Sequence, residues 1–327
     1  MMKIEGEFFM KSTVISGTSI KLSKVILGTA GFGTSVPEAQ AFAQMDCYYE
    51  NGGHTLDTAA VYGDWEDKQE PLSERTIARW LRSRGLEKEM TVIPKGCHYR
   101  LKTPEVSRVT PEALRQDVSQ SLAALNRDSI DVYLLHRDDP AVPVGEIMDA
   151  LGGFAAKGVL RSIGVSNWTY ARIAEANAYA AAHGLTPLTS SQMQWSLAQI
   201  NPENDNFKEL PHITPEELAH YRQSGMTLMA WSSQAGGVIS KILSRPDFSL
   251  EGNKFDTPET RLRAQRAAEL AKQTGDSPAV LSLAYLLNCG VNGAAVVGAS
   301  SLEQLRESLL AGDVFLTEEQ VSYLEGN

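Results

Sequence analysis

Apolar, β-branched runs of three to six residues recur along this chain. They fall at Val25–Leu27, His54–Leu56, Met90–Ile93, Ile130–Leu135, Ser162–Val165, Leu188–Gln192, Met226–Ala230 and Ala294–Val297. Each has the length and residue bias of a strand. Helical segments fill the intervals, and several carry start signals. Thr110-Pro111-Glu112 sets a capping oxygen ahead of a proline at the first helical position. Thr214-Pro215-Glu216-Glu217 adds the reciprocal carboxylate of a capping box, and Ser301-Leu302-Glu303-Gln304 opens the last regular helix in the same way. Ahead of the first run, VISGTSIKLS reads as a short hairpin turning at Gly17. Eight strand–helix units of about forty residues match a (β/α)8 TIM barrel, an α/β fold expected as one domain over residues 1–327 with an N-terminal β-hairpin. A doubly wound sheet uses the same alternation, and spacing alone does not separate the two.

Three connections exceed the usual loop length: Asp64–Leu72, Gly96–Val109 and Gly236–Pro258. Each follows a strand, which puts all three on the C-terminal face where barrel enzymes keep their sites. Insertions of this kind also occur without function. Grouped on one rim, they suit the walls and lid of a pocket.

The bulk properties narrow the classes further. An apolar fraction of 43% supports a sizeable core, and a formal charge of −10 argues against a nucleic-acid or anionic-membrane surface. The three cysteines, Cys47, Cys97 and Cys289, are far apart and form no C-x-x-C pair, which suits a reducing compartment. The opening MMKIEGEFFMKS lacks a cationic stretch followed by an apolar run. No stretch approaches the ~20 apolar residues of a membrane span. A cytoplasmic protein is expected, with a small-molecule partner and an oligomeric state left open.

Four residues at or just beyond predicted strand ends carry chemistry: Asp57 and Tyr62 in LDTAAVYG, Lys95 in VIPKG and His136 in VYLLHRDDP. A tyrosine hydroxyl near pKa 10 donates a proton poorly at neutral pH, and an adjacent ammonium lowers that value. A carboxylate beside the lysine keeps it charged, and a histidine orients a substrate oxygen. Taken singly, Asp57 suits a turn, Lys95 a snorkelling surface side chain and His136 a structural histidine. Their joint occurrence on three successive strand ends is the specific signal.

The chain resembles the aldo-keto reductases along nearly its whole length, through LDTAAVYG, VIPKG, LLHRDDP, GVSNW, SQMQW, MAWSS and GASSLEQLRES. That resemblance implies metal-independent, reversible reduction of aldehydes or ketones with a nicotinamide cofactor. Tyr62 is then the general acid, Lys95 and Asp57 tune it, and His136 orients the carbonyl. It also implies that Ser166, Asn167 and Gln192 hold the nicotinamide amide, that Trp231 stacks on the ring, and that Ser232, Ser233 and Gln234 meet the pyrophosphate. Gly298, Ala299 and Ser300 precede a capped helix, whose N-terminus attracts anions. The family reading sets the adenosine 2′-phosphate there, with Gln304, Glu307 and Ser308 near ribose and adenine. Many relatives place Lys or Arg at this point and this chain does not. NADP(H) is the first expectation and NAD(H) remains open.

Phe32, Trp65, His98 and Trp168 on rim loops are the candidate substrate contacts, suited to an apolar or aromatic carbonyl compound and equally to packing loops on the barrel. GTAGFGTS lacks the third glycine of a dinucleotide fingerprint, and the six histidines lack the i, i+4 pairing of a helical zinc site. Two other classes stay in view: a nicotinamide-sensing regulatory subunit with little turnover, and a metal-dependent barrel hydrolase built on Asp57 and His136.

Overall fold

The computed structural model describes residues 10–66 and 70–326. The start of the polar lead-in, the middle of the WEDKQEP insertion and the last residue lie outside that range. β1 (Ser12–Val14) and β2 (Lys21–Ser23) form the antiparallel hairpin, with Gly17 at φ 71° in its turn. The parallel strands are β3 (Val25–Gly28), β4 (Thr55–Asp57), β5 (Thr91–Ile93), β6 (Lys95–Gly96), β7 (Tyr133–Leu135), β8 (Ile163–Ser166), β9 (Leu188–Gln194), β10 (Thr227–Trp231) and β11 (Gly293–Val297). Their order is β5-β4-β3-β11-β10-β9-β8-β7-β6. β5 and β6 are two halves of one barrel strand broken at Pro94, whose ring removes a ladder donor. The first half pairs with β4 and the second with β7, so the sheet closes on itself as an eight-stranded (β/α)8 barrel.

Ile15 and Leu22 of the hairpin join Ile26, Ile93, Val132, Leu134 and Met229 in a fully buried interior cluster. The hairpin thereby plugs one end of the barrel and leaves the C-terminal end for the site. Around the barrel run α1 (Glu38–Glu50), α2 (Leu72–Arg84), α3 (Pro111–Leu125), α4 (Val144–Ala156), α5 (Tyr170–His183) and α6 (Pro215–Ser224). The stretch Gly236–Pro258, expected as a long loop, contains α7 (Val238–Ser244), because Val238 and Ile239 have an apolar face to bury. α8 (Pro258–Thr274) and α9 (Pro278–Asn288) follow. α10 (Leu302–Leu310) packs against α1 and completes the ring, and α11 (Glu318–Glu325) packs on α8 and α9. The caps Thr110, Thr214 and Ser301 accept from the backbone N–H groups of Ala113, Glu217 and Gln304, as their sequences predict. No described helix is long and apolar enough to cross a membrane.

Candidate active site

Side chains from β4, β6 and β9 converge on one buried ion pair. Asp57 closes β4 and Lys95 opens β6, and both are almost wholly shielded from solvent. Lys95 Nζ donates to Asp57 Oδ1 at 2.6 Å, to Asp57 Oδ2 at 2.7 Å and to the Thr58 carbonyl at 2.8 Å. All three ammonium protons are therefore used. Gln192, on β9 across the barrel, donates to Asp57 Oδ2 at 2.7 Å. A carboxylate that accepts from both a cation and an amide survives burial that would otherwise expel it. Burial pushes the Lys95 ammonium below its ordinary range, with Asp57 opposing that shift.

Tyr62 stands over this pair, its ring centroid 5.4 Å from Lys95 Nζ. Its loop is held by Ser73, whose N–H donates to the Tyr62 carbonyl and whose Oγ donates to the Thr29 carbonyl, 2.8 Å away. Ser73 and Tyr62 thus meet despite the insertion between them. The His136 ring lies edge-on to Tyr62 at 5.9 Å, and His98 lies edge-on to His136 at 4.7 Å. Burial, then Asp57, raises the Tyr62 hydroxyl above its ordinary value. The ammonium was expected to lower it, but in this conformation Lys95 spends its protons on Asp57 and Thr58. Burial, then the charges of His98, Lys95 and Arg137, holds His136 well below its usual range, so its ring is neutral at pH 7. His136 Nδ1 is buried without a partner. Such a set can orient an oxygen and deliver a proton to it.

The remaining predicted residues extend from this point. Ser166 Oγ donates to the Gln192 carbonyl (2.8 Å), and Asn167 Nδ2 donates to Ser166 Oγ (3.0 Å) and the His136 carbonyl (3.2 Å). Trp231 Nε1 donates to Asn167 Oδ1 at 2.9 Å, which ties the ring to the same network. Asn167 and Ser232 hold left-handed backbone at φ 61° and 52°, a conformation that gathers at ligand sites. Tyr62, Asp57, Trp231, Ser232, Ser233 and Gln234 line a cleft of about 420 Å³ that runs on to Gly298 and Ala299. Gln234 Nε2 donates to Ser308 Oγ at 2.9 Å, joining the loop after β10 to α10.

Trp168 stands differently from expectation, and the side chains of Glu307 and Gln304 are engaged within the protein. Trp168 is fully buried: its Nε1 donates to the Arg137 carbonyl and its ring lies 5.1 Å beneath the Arg172 guanidinium. The left-handed turn at Asn167 swings it back toward α5, away from the cleft. Glu307 accepts from Ser277, the cap of α9, and Gln304 spends its amide oxygen on the Ser300 N–H. Trp65 is 48% exposed on the rim, Phe32 lies in the cleft wall and His98 lies against His136. Among the described residues, no group of three or more His, Cys, Asp or Glu side chains is placed to hold a metal ion.

Sequence reasoning missed several neighbours. Gly28, Thr29 and Ala30 line the cleft, although their stretch lacks the dinucleotide fingerprint. Phe207 meets the Trp231 ring edge-on at 6.1 Å, and Arg137 lies over both Tyr99 and Phe207. Lys241 borders an adjoining hollow that shares Ser232 and Gly236 with the cleft. A lone cation one turn into the helix after Gly236-Gly237 was the available signal.

The sequence model of the Aldo/keto reductase family matches residues 24–326. The chain is 28% identical to an uncharacterised oxidoreductase of Bacillus subtilis, over 95% of this chain and 93% of that one. It is 30% identical to a norsolorinic acid reductase of Emericella nidulans (94% and 78% covered). It is 28% identical to a putative aryl-alcohol dehydrogenase of Saccharomyces cerevisiae (95% and 85%). With a closed barrel, a buried Asp57–Lys95 pair beneath Tyr62 and a family match over almost all its length, this chain belongs to the aldo/keto reductase family.

Proposed function

We propose that the protein reduces the carbonyl group of a small, apolar or aromatic aldehyde or ketone, reversibly, with Tyr62 as proton donor. The observation that carries this reading is the position of the Tyr62 phenol, between the Asp57–Lys95–Gln192 network and the neutral His136. A raised phenol keeps its proton at neutral pH and so arrives loaded. It gives that proton up only to a stronger base, and an alkoxide forming in the cleft is one. His136 Nε2 orients the oxygen. Lys95 stands ready to compensate the phenolate once it forms.

A dihydronicotinamide bound in the cleft supplies the reducing equivalents. Several features fit it. The cleft is long, Trp231 is a tethered ring at its inner end, and left-handed backbone at Ser232, Ala235, Gly236 and Gly237 curves successive amides into a concavity suited to a pyrophosphate. Lys241 adds a cation nearby. At the adenosine end, Gly298 and Ser300 are exposed and uncharged, which supports binding of either dinucleotide with modest discrimination. The ring-lined mouth, and the aryl-alcohol and norsolorinic acid activities named for two relatives, favour an aromatic substrate. The test is Tyr62→Phe. We expect turnover of an aldehyde panel to fall by about 10²- to 10⁴-fold while dinucleotide titration of Trp231 fluorescence is little changed. Retention of most of the turnover would remove Tyr62 from its role.

A further inference from the structure

Arg137 directly follows His136 at the end of β7, and its guanidinium has only a distant, exposed carboxylate for a counterion. Its side chain is only 12% exposed. The Tyr99 ring lies 5.3 Å from it and the Phe207 ring 5.7 Å from it. Tyr99 belongs to the loop after β6 and Phe207 to the loop after β9, so the cation spans the two walls of the mouth. Nε and Nη1 are buried without a hydrogen-bond partner. The nearest carboxylate is Glu209, at 4.0 Å and itself 60% exposed. Other acids in the region are committed elsewhere: Asp138 to Arg172, Asp64 to Arg100 and Asp205 to Lys254.

A shielded guanidinium with unused N–H groups is costly unless an anion completes it, and its planar fork matches a carboxylate. The stacked rings hold that fork in place. The ring contacts continue inward, from Tyr99 to His98 at 4.2 Å and from His98 to His136 at 4.7 Å. On the other wall, Phe207 leads to Trp231. Arg137 is therefore separated from the proposed reacting groups by one layer of rings. Its positive charge also acts on Tyr62, His98 and His136.

Resting on the reductase reading above, we propose that Arg137 selects carbonyl substrates that carry a carboxylate, joined to the carbonyl by an aromatic or similarly apolar spacer. Arg137 is then a specificity residue outside the proton-transfer set, and Glu209 is the weak partner that the substrate displaces. The test compares para-carboxybenzaldehyde with its neutral methyl ester in the wild type, Arg137→Met and Arg137→Lys. We expect the wild type to prefer the acid in kcat/KM. Arg137→Met should shrink that preference by about tenfold to a hundredfold, mainly through KM, and Arg137→Lys should restore part of it. Equal losses on both aldehydes in Arg137→Met would overturn the proposal and leave Arg137 a structural residue. Calorimetry with para-toluate and para-toluamide makes the same comparison without turnover. If neither aldehyde is reduced, the reductase reading fails, and the calorimetric preference for para-toluate with its loss in Arg137→Met still decides the role of Arg137. No preference for para-toluate in the wild type would overturn that role.

Discussion

At the Tyr62 end of the cleft the polar groups are buried and mutually committed, with Lys95, Asp57, Thr58 and Gln192 closing on one another within 2.8 Å. At the α10 end they are exposed and self-contained. Ser301 caps the helix, Gln304 closes on Ser300, and no residue from Gly298 to Gln304 is a lysine or arginine. The inner end is built so that loss of one member strands another in low dielectric. The outer end tolerates change because water substitutes for whatever is removed. The inner end is therefore fixed by the barrel, and the outer end is a surface that few contacts constrain.

The sharpest way to break this contrast is to remove the cation alone. Lys95→Met leaves the Asp57 carboxylate buried with Gln192 as its only side-chain donor among the described residues, and we expect a loss of about 3–5 kcal/mol in urea unfolding. The double variant Asp57→Asn/Lys95→Met should recover part of that loss, because the stranded charge goes with its partner. A loss under about 1 kcal/mol in the single variant would mean that the pair is not shielded as described.

Glu74 sharpens the same comparison from behind the site. It is fully buried, it accepts from Ser121 Oγ at 2.7 Å, and its Oε2 has no partner. Burial raises its carboxyl from the ordinary 4.5 to about 8. The folded protein thus keeps a proton that the unfolded chain releases between those values, so this group's contribution falls as pH rises from 4.5 to 8. Glu74→Gln lacks that loss. Its stability advantage should be small near pH 4.5 and grow by up to about 4 kcal/mol by pH 8. A difference that stays constant with pH would show that Glu74 does not titrate in this range.

How much of this was legible beforehand follows the same division. Asp57, Lys95 and His136 sit at or beside strand ends, and the period of strands and helices sets which ends share a face, so their joint occurrence was readable along the chain. The closure through Pro94 was not visible, since a proline inside a strand reads as an interruption until both halves find different neighbours. Trp168 was misplaced because one left-handed residue, Asn167, reverses the direction of the next side chain, and only backbone angles reveal that. Arg137 and Phe207 meet across loops far apart in sequence, a contact that no local pattern encodes. α7 was hidden in a stretch whose glycines and length suggested a plain loop.

The smallest expected effect belongs to the exposed end. A Cβ added at Gly298 meets nothing within 4 Å, so Gly298→Lys should be accepted without strain. It sets a cation ahead of the N-terminus of α10, where an adenosine phosphate would add to the favourable field of the helix. Exposed charge pairs contribute up to about 1 kcal/mol, so NADPH binding should tighten by roughly twofold to fivefold relative to NADH. Trp231 fluorescence titrations with the two dinucleotides measure that ratio directly, and raising the salt concentration should erode the gain. An unchanged ratio at low salt would mean that the phosphate meets the protein elsewhere, with Lys241 as the next cation to remove.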